Sequence, residues 1–432
     1  MTCANNQSRW VALKYSPIMV FCCNRSITTT KVVPEHKNLY IDRHDLYRTV
    51  TPLTSMNKKF LSLLCIGLLL SGCQILTTNA PPLPAATSKL LPMPVASHEF
   101  RFDSSRDDVV GTMQIITAHQ DDTLSDIARR FNLGYEEIVN ANPGVDPWLP
   151  KAGTRIVVPT QFVLPDAPRH GVIVNLAAMR LFYFPKVKPG ELQRVITHPV
   201  GIGRVEWKTP EGVTRVVAKQ ENPSWIPTPS IRKEHAKNGD ILPAVVPPGP
   251  DNPMGTHVLR LGWPSYAIHG TDKPPSIGLR GSHGCLRMYP EDITGIYRNV
   301  PVGTPVRIVN QPRLLGWRNG ALYLQAYPIL EDDKRNHGKL LTQALASARS
   351  KRSKSAKLPS ASIQQALINE VIREPRAIAT PVTQPGMTLQ SYLDSAKHVQ
   401  NVLPFNATWD GDMSRQLTAN QLLKMTREEI ER

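Results

Sequence analysis

The residues of this 432-residue chain that could do chemistry lie in one run, Ser282-His283-Gly284-Cys285-Leu286-Arg287. A second histidine, His269, stands sixteen residues before Cys285. A free cysteine has a pKa of about 8.5, so attack near neutral pH needs either a lowered pKa or a neighbouring base. The residue types therefore predict a cysteine nucleophile whose proton is removed by a histidine.

His269 is the expected base. Residues 266–269 alternate like the end of a strand, which would place His269 at a sheet edge and on the rim of a cleft. Residues 272–281 hold two prolines and two glycines, a composition typical of a loop. Such a loop is long enough to return the chain, so Cys285 can face His269.

The neighbours of the cysteine have predicted roles of their own. His283 lies two residues before Cys285, so on an extended segment both side chains would share a face, and His283 would shape the site or compete as base. Gly284 would let a substrate carbonyl approach, with the amides around Gly284 and Cys285 as oxyanion donors. Arg287 could bind a substrate carboxylate through its planar fork or simply face solvent. We assign Arg287 and Ser282 to substrate binding.

A zinc site is the rival chemistry. Its ligands would be His257, His269, His283 and Cys285. Their spacing lacks the paired Cys-x-x-Cys or His-x-x-x-His pattern of common zinc sites, and no acidic ligand lies beside them. We therefore predict neither a metal nor a cofactor.

The segment around these residues, from about 162 to 311, is strand-rich. The whole chain has 39 prolines and 26 glycines, a composition that indicates loops and β structure rather than long helices. Runs of β-branched and aromatic residues between turn residues predict the following strands: 172–176, 179–184, 194–197 and 214–218. We expect a mainly β protein.

A smaller module precedes this segment. Residues 114–118 are strand-like, Asp122 and Thr123 can cap a helix, Gly134 closes it, and residues 154–159 return as a strand after a second helix. The apolar residues of the first helix recur at i, i+3, i+4 and i+7: Leu124, Ile127, Ala128 and Phe131. The order is β-α-α-β, and these apolar positions are core residues.

Residues 56–73 form a secretory signal. A basic start at 56–59 precedes the eleven-residue apolar run 60–70, which is short for a membrane span. Residues 70–73 resemble the bacterial lipobox, which implies lipidation of Cys73. Gln74 follows where an aspartate would suggest inner-membrane retention, so the resemblance favours the outer membrane.

Residues 1–55 are a doubtful extension, because a signal peptide works poorly behind such a segment. We expect translation to start at Met56; the alternative is a cytoplasmic tail ahead of a single anchor. After the lipobox, Cys285 is the one remaining cysteine, which favours a reactive thiol over a structural disulfide. The alternative is a small buried apolar residue.

The remaining segments are connectors and additions. Residues 74–110 are predicted to be a proline-rich tether. Residues 313–330 suggest a small appended β unit. Residues 331–432 suggest a helical or partly disordered basic tail, with a wall- or partner-binding element as the alternative.

The net charge of +16 favours an anionic partner. Nine Lys and Arg and three Asp and Glu precede Cys73, so the lipidated form would keep about +10. Peptidoglycan or anionic lipid headgroups fit this charge. Export excludes nucleic acid, the usual partner of so basic a protein.

Two families are similar to this sequence. Residues 122–128, 140–143 and 153–159 resemble the LysM module, which covers residues 112–160. Residues 252–255, 268–271 and 281–288 resemble bacterial L,D-transpeptidases of the ErfK/YkuD family, over residues 165–312. The second resemblance implies a β-sandwich-like catalytic domain. It also implies a nucleophile at Cys285, an acid/base histidine at His269, and active-site residues at His283, Gly284 and Arg287.

These resemblances imply a periplasmic, lipid-anchored enzyme of a Gram-negative outer membrane. LysM would bind peptidoglycan glycan. Cys285 would attack the third residue of a tetrapeptide stem, release D-alanine and transfer the acyl group to an amine. That amine belongs to another stem, giving a 3-3 cross-link, or to an outer-membrane lipoprotein, giving a wall anchor. The alternative from another class is a non-catalytic LysM scaffold that binds the wall.

Overall fold

The computed structural model of the chain describes residues 98–354 and 363–402. The signal at 56–73, lipidation at Cys73 and residues 403–432 therefore lie outside the described residues. Within the two ranges, no helix combines the length and the apolar character needed to cross a membrane.

The first elements form a small module and two flanking strands. They are β1 (Glu99–Phe102), β2 (Val109–Gly111), β3 (Gln114–Thr117), α1 (Leu124–Arg130), α2 (Tyr135–Ala141), β4 (Arg155–Val158) and β5 (Gln161–Val163). β3 pairs antiparallel with β4 around the two helices, which confirms the β-α-α-β order. Thr123 caps α1, because Asp126 N donates to its Oγ1 at 3.1 Å while Thr123 N donates to Asp126 Oδ2 at 3.2 Å.

The strand-rich segment contributes ten strands. They and their helices are β6 (Gly171–Asn175), β7 (Arg180–Phe184), β8 (Gln193–Pro199), β9 (Ile202–Gly203), β10 (Gly212–Glu221), α3 (Pro229–Lys237), β11 (His257–Leu261), β12 (Ala267–His269), a 3₁₀ turn (Pro274–Ser276), β13 (Arg280–Ser282), β14 (Leu286–Arg287), α4 (Pro290–Asn299) and β15 (Pro305–Val309). The large sheet has nine strands in the order β1-β8-β7-β6-β15-β10-β11-β12-β14, and β13 pairs with β9. The mainly β class is confirmed.

Both faces of the large sheet are buried at β6 and β7. Alternate residues of β6 and β7, such as Val174 and Leu181, pack in one core with Ile293 of α4. The residues between them, such as Phe182, pack in a second core that also contains Ile127 of α1. The small module therefore shares a hydrophobic core with the large sheet, because its helices cover one face of it.

Ion pairs fix the small module against the sheet. Arg180 of β7 is fully buried and binds both carboxylate oxygens of Glu137 on α2, at 2.8 and 2.6 Å. Arg129 of α1 binds both oxygens of Glu291 on α4, at 2.9 and 3.0 Å. Two-point contacts between planar groups set orientation as well as distance, so the module has one defined position.

The predicted tether ends earlier than expected. β1 pairs antiparallel with β8, with Phe102 opposite Gln193, and β2 pairs with β5. Phe102 is buried, because alternating apolar residues give this segment a face that the sheet can cover. The described end of residues 74–110 is therefore folded.

The carboxy-terminal elements form a third layer. They are β16 (Arg313–Arg318), β17 (Ala321–Ala326), α5 (His337–Lys354), α6 (Gln365–Arg373), β18 (Thr380–Pro381), α7 (Leu389–Asp394) and β19 (Lys397–His398). Leu367 and Ile368 of α6 pack on Leu322 and Leu324 of β17, and β19 adds a parallel strand to β3. The described residues from 331 onward are therefore folded and include three helices, which agrees with the helical form of the predicted tail and not with the partly disordered form over this range.

Arg180→Met tests the docking of the small module. It leaves the Glu137 carboxylate buried without its partner, so we expect the free energy of unfolding to fall by about 3–5 kcal/mol, measured by urea denaturation. Arg194→Met is the matched control, because Arg194 and Glu99 are 38% and 39% exposed, and it should cost less than about 1 kcal/mol. Equal small losses would contradict a structural role for the buried pair.

Candidate active site

The two predicted catalytic residues lie at two neighbouring parallel strands: His269 ends β12, and Cys285 directly precedes β14. In the β12–β14 pair, Ile268 stands opposite Leu286 and His269 opposite Arg287. Ile268 and Leu286 point into the hydrophobic core. Since side chains alternate along a strand, His269, Cys285 and Arg287 share the opposite face. β12 is an interior strand rather than an edge, because the returning chain adds β14 beside it.

Ser282 holds the turn that leads into the nucleophile. Its Oγ accepts the Gly284 N–H at 3.1 Å and donates to the Cys285 carbonyl at 2.6 Å. Ser282 is only 2% exposed. The expectation that it binds substrate is therefore corrected: its hydroxyl is used inside the turn.

Gly284 adopts a conformation that favours glycine, with φ at +101°. A Cβ atom there would lie 2.9 Å from Cε1 of Tyr266. Thr209 Oγ1 donates to the Gly284 carbonyl at 2.8 Å. The Gly284 N–H is already bonded to Ser282, whereas the Cys285 N–H donates to no protein acceptor within the described residues, so the predicted oxyanion role remains open to the Cys285 N–H alone of the two.

The Cys285 thiol is protonated at rest. Burial raises its pKa above the ordinary value, and this outweighs the opposing effects of the Ala267 backbone and of Arg287 and Arg260. The thiol donates to the Ser265 carbonyl at 3.4 Å. Ser265 itself has φ at +67°, an uncommon conformation for a residue other than glycine.

His269 is neutral at rest. Its pKa is lowered to about 4, chiefly by burial and in part by Arg287, while the carbonyls of Gly270, Met254 and Pro253 act in the opposite direction. Nδ1 lies 2.7 Å from the Gly270 carbonyl oxygen, so the neutral ring donates from Nδ1. Nε2 is then unprotonated and can accept a proton. The thiol must rotate away from Ser265 before it can deliver one.

Arg287 lies beside the nucleophile. Its backbone N–H donates to the Gly201 carbonyl at 3.0 Å, and its own carbonyl accepts the Gly201 N–H at 2.9 Å. Burial lowers its pKa, while Asp272 and Cys285 act in the opposite direction. The half-buried guanidinium therefore does not simply face solvent, and the carboxylate-binding role stays a prediction.

His283 lies in a different cluster from the one expected. The positive φ of Gly284 breaks the extended backbone on which a shared face with Cys285 depended. Its Nε2 lies 2.9 Å from Arg204 Nη2, and its ring meets the Trp207 ring edge-on at 5.2 Å. Glu234 of α3 completes the cluster, with Oε2 3.3 Å from His283 Nε2.

Sequence reasoning missed four residues of the site: Arg204, Trp207, Thr209 and Glu234. They come from a loop and a helix about 50–80 positions before the cysteine. Neither segment carries a motif, and no local pattern brings them to the site. The pairing of β9 with β13 brings the loop there, and the Glu234–Arg204 ion pair joins the helix to the loop.

The described ranges hold no group of three or more His, Cys, Asp or Glu side chains placed to bind a metal ion. His257, one ligand of the zinc alternative, packs against the Tyr297 ring at 4.7 Å. Cys285 is the free cysteine of these ranges.

Two family models match the chain: the YkuD L,D-transpeptidase catalytic domain over residues 169–308, and the LysM domain over residues 116–159. The Escherichia coli (strain K12) protein named probable L,D-transpeptidase YcfS is 38% identical over 275 residues, which cover 62% of this chain and 79% of that protein.

Two further relatives come from the same organism. Probable L,D-transpeptidase YbiS is 44% identical over 213 residues, covering 49% of this chain and 67% of that protein. Probable L,D-transpeptidase ErfK/SrfK is 46% identical over 195 residues, covering 45% of this chain and 61% of that protein. The match thus spans less than two thirds of the ErfK/SrfK protein.

The neutral state of Cys285 predicts the pH dependence of its alkylation. Because burial raises the thiol pKa, the iodoacetamide rate should be low at neutral pH and rise with a midpoint above about 8.5. His269→Gln should leave the dependence of the alkylation rate on pH nearly unchanged, since no hydrogen bond joins the His269 imidazole to the Cys285 thiol. A fast, pH-independent rate between pH 5 and 8 that disappears in this variant would instead reveal a thiolate–imidazolium pair.

Gly284→Ala tests the turn. We expect loss of most substrate turnover, because the new Cβ meets Tyr266 and the positive φ strains the turn by about 1–3 kcal/mol. Gly303→Ala is the matched control, since Gly303 has φ at +89° with open space around its Cβ position. Thermal unfolding and turnover of both variants should show a larger stability loss in Gly284→Ala, because of the added contact with Tyr266, and a loss of turnover in that variant alone. Unimpaired turnover in Gly284→Ala would refute the proposed role.

Proposed function

The chain belongs to the L,D-transpeptidase family, and from this premise we propose that it is a peptidoglycan L,D-transpeptidase working through a cysteinyl acyl-enzyme. One observation carries the proposal: His269 and Cys285 share a face of the β12–β14 pair, with the turn before Cys285 fixed by Ser282. A nucleophile, a proton acceptor and an amide donor are thereby held in one place.

In the acylation step, Nε2 of His269 accepts the thiol proton as sulfur bonds to the carbonyl carbon of the third stem residue. The carbonyl oxygen becomes an oxyanion that the Cys285 N–H can stabilise. The imidazolium then returns the proton to the amine of the departing D-alanine. The product is a thioester on Cys285, and the proton balance is closed.

In the second step an amine attacks the thioester carbonyl. Its proton passes to His269, the C–S bond breaks and the sulfur regains a proton from the imidazolium. Another stem as acceptor gives a 3-3 cross-link. A lysine of an outer-membrane lipoprotein gives a wall anchor.

The LysM module is proposed to bind peptidoglycan glycan. Its shared core with the catalytic sheet and the Arg180–Glu137 pair support a fixed distance between bound glycan and Cys285. Tethering of this kind raises the local concentration of stem peptides. The proposed location is the periplasm, with a lipid on Cys73 anchoring the protein to the outer membrane.

Product analysis tests this function. The purified chain lacking its signal segment should convert tetrapeptide-bearing muropeptides into 3-3 dimers, tripeptides or products with exchanged D-amino acids, detected by mass spectrometry. Cys285→Ala should abolish every product while still sedimenting with insoluble peptidoglycan. Wild-type protein that sediments but forms no product would support the scaffold alternative.

A further inference from the structure

Near the nucleophile, a carboxylate of the protein itself accepts hydrogen bonds from two side chains that point toward the same place. Glu234 of α3 pairs through Oε1 with Arg204 Nη2 and accepts the Trp207 indole N–H on Oε2 at 3.1 Å. Arg204 and Trp207 are called the donor pair below. A charged fork and an indole N–H that meet on one carboxylate form a recognisable anion site.

His283 orients the donor pair rather than adding a third donor. Arginine cannot accept a hydrogen bond, so the 2.9 Å contact between Arg204 Nη2 and His283 Nε2 requires an unprotonated Nε2. Burial and Arg204 both lower the pKa of His283, which agrees with a neutral ring. Its 3.3 Å approach to Glu234 Oε2 is then a packing contact.

The donor pair is fixed to the catalytic turn. The Arg204 N–H donates to the Ser282 carbonyl at 3.1 Å. Thr209, from the same loop, donates to the Gly284 carbonyl at 2.8 Å. A carboxylate bound there would therefore lie within a few residues of the reacting carbonyl of a peptide held at Cys285.

Two other cations nearby are neutralised elsewhere. Arg280 and Lys208 both pair with Asp332, at 2.8 and 3.1 Å. Within the described residues, Glu234 is the one carboxylate that pairs with Arg204. The buried Nε of Arg204 has no partner there.

The helix that carries Glu234 is weakly held. Of α3, only Ile231 is buried. The Glu234 and Arg204 side chains are 30% and 32% exposed, and ion pairs that water can reach contribute little to stability. Glu234 can therefore leave the donor pair at little cost.

We propose that Arg204 and Trp207 form a carboxylate subsite for the stem peptide, which Glu234 occupies until substrate replaces it. This inference rests on the proposed function. A tetrapeptide stem offers this chemistry in two places: the carboxy terminus of the leaving residue, and the side chain of a diamino diacid at the third residue. Exchange of one carboxylate for another leaves the charge of the site unchanged.

Binding to a catalytically inactive chain tests the subsite separately from the reaction. In the Cys285→Ala background, adding Glu234→Gln should tighten tetrapeptide binding about tenfold, the factor expected if the subsite is free about a tenth of the time. Adding Arg204→Gln should weaken binding about tenfold. Glu206→Gln is the matched control, because Glu206 is an exposed carboxylate on the same loop, and it should change the dissociation constant less than twofold.

Two amidated peptides identify the carboxylate. One peptide is amidated at its carboxy terminus and the other at the third-residue side chain. Amidation of the carboxylate that the subsite binds should raise the dissociation constant about tenfold when Arg204 is present and leave it unchanged in Arg204→Gln. If Glu234→Gln binds no tighter, or neither amide weakens binding, the subsite is refuted even when wild type turns over. If the wild type forms no product but the dissociation constants change as expected, the proposed function is refuted and the subsite is supported.

Discussion

The short parallel pairing of β12 with β14 is the constraint on which the site depends. It joins residues eighteen positions apart in the chain, and it puts Ile268 and Leu286 into the core. A one-residue shift of register would exchange the faces of every side chain on β14. Burial of the two apolar residues therefore fixes the direction of Cys285, and Gly284 provides the turn that lets the chain arrive there.

The electrostatics of the site follow from the same burial. A thiolate and an imidazolium would both lose solvation here, so the resting pair is neutral: the pKa of Cys285 is raised and that of His269 falls to about 4. Proton transfer is then coupled to attack on the carbonyl rather than completed beforehand. Without substrate the protonated thiol is therefore a slow nucleophile, and it is also protected from reaction with other electrophiles.

The sequence was most informative where the signal is local. Cys285, His269 and Gly284 stand in compact motifs, and the apolar period of α1 predicts its buried face. Contacts between distant segments were not visible: Glu234 reaches Arg204 across thirty residues, and Arg180 reaches Glu137 across forty-three. Ser282 was misassigned because a hydroxyl in a motif suggests binding, whereas only coordinates show that its oxygen is already used. Likewise, no composition rule shows that residues from 99 onward join the sheet.

The mass of the protein after mixing with an acceptor-free tetrapeptide tests the central claim most directly. The account predicts that intact protein gains the tripeptide acyl group, that D-alanine is released in equal amount, and that peptide mapping finds the adduct on Cys285. His269→Ala should form it far more slowly. An adduct on another residue, or release of D-alanine from protein whose Cys285 has been blocked by alkylation, would contradict the account.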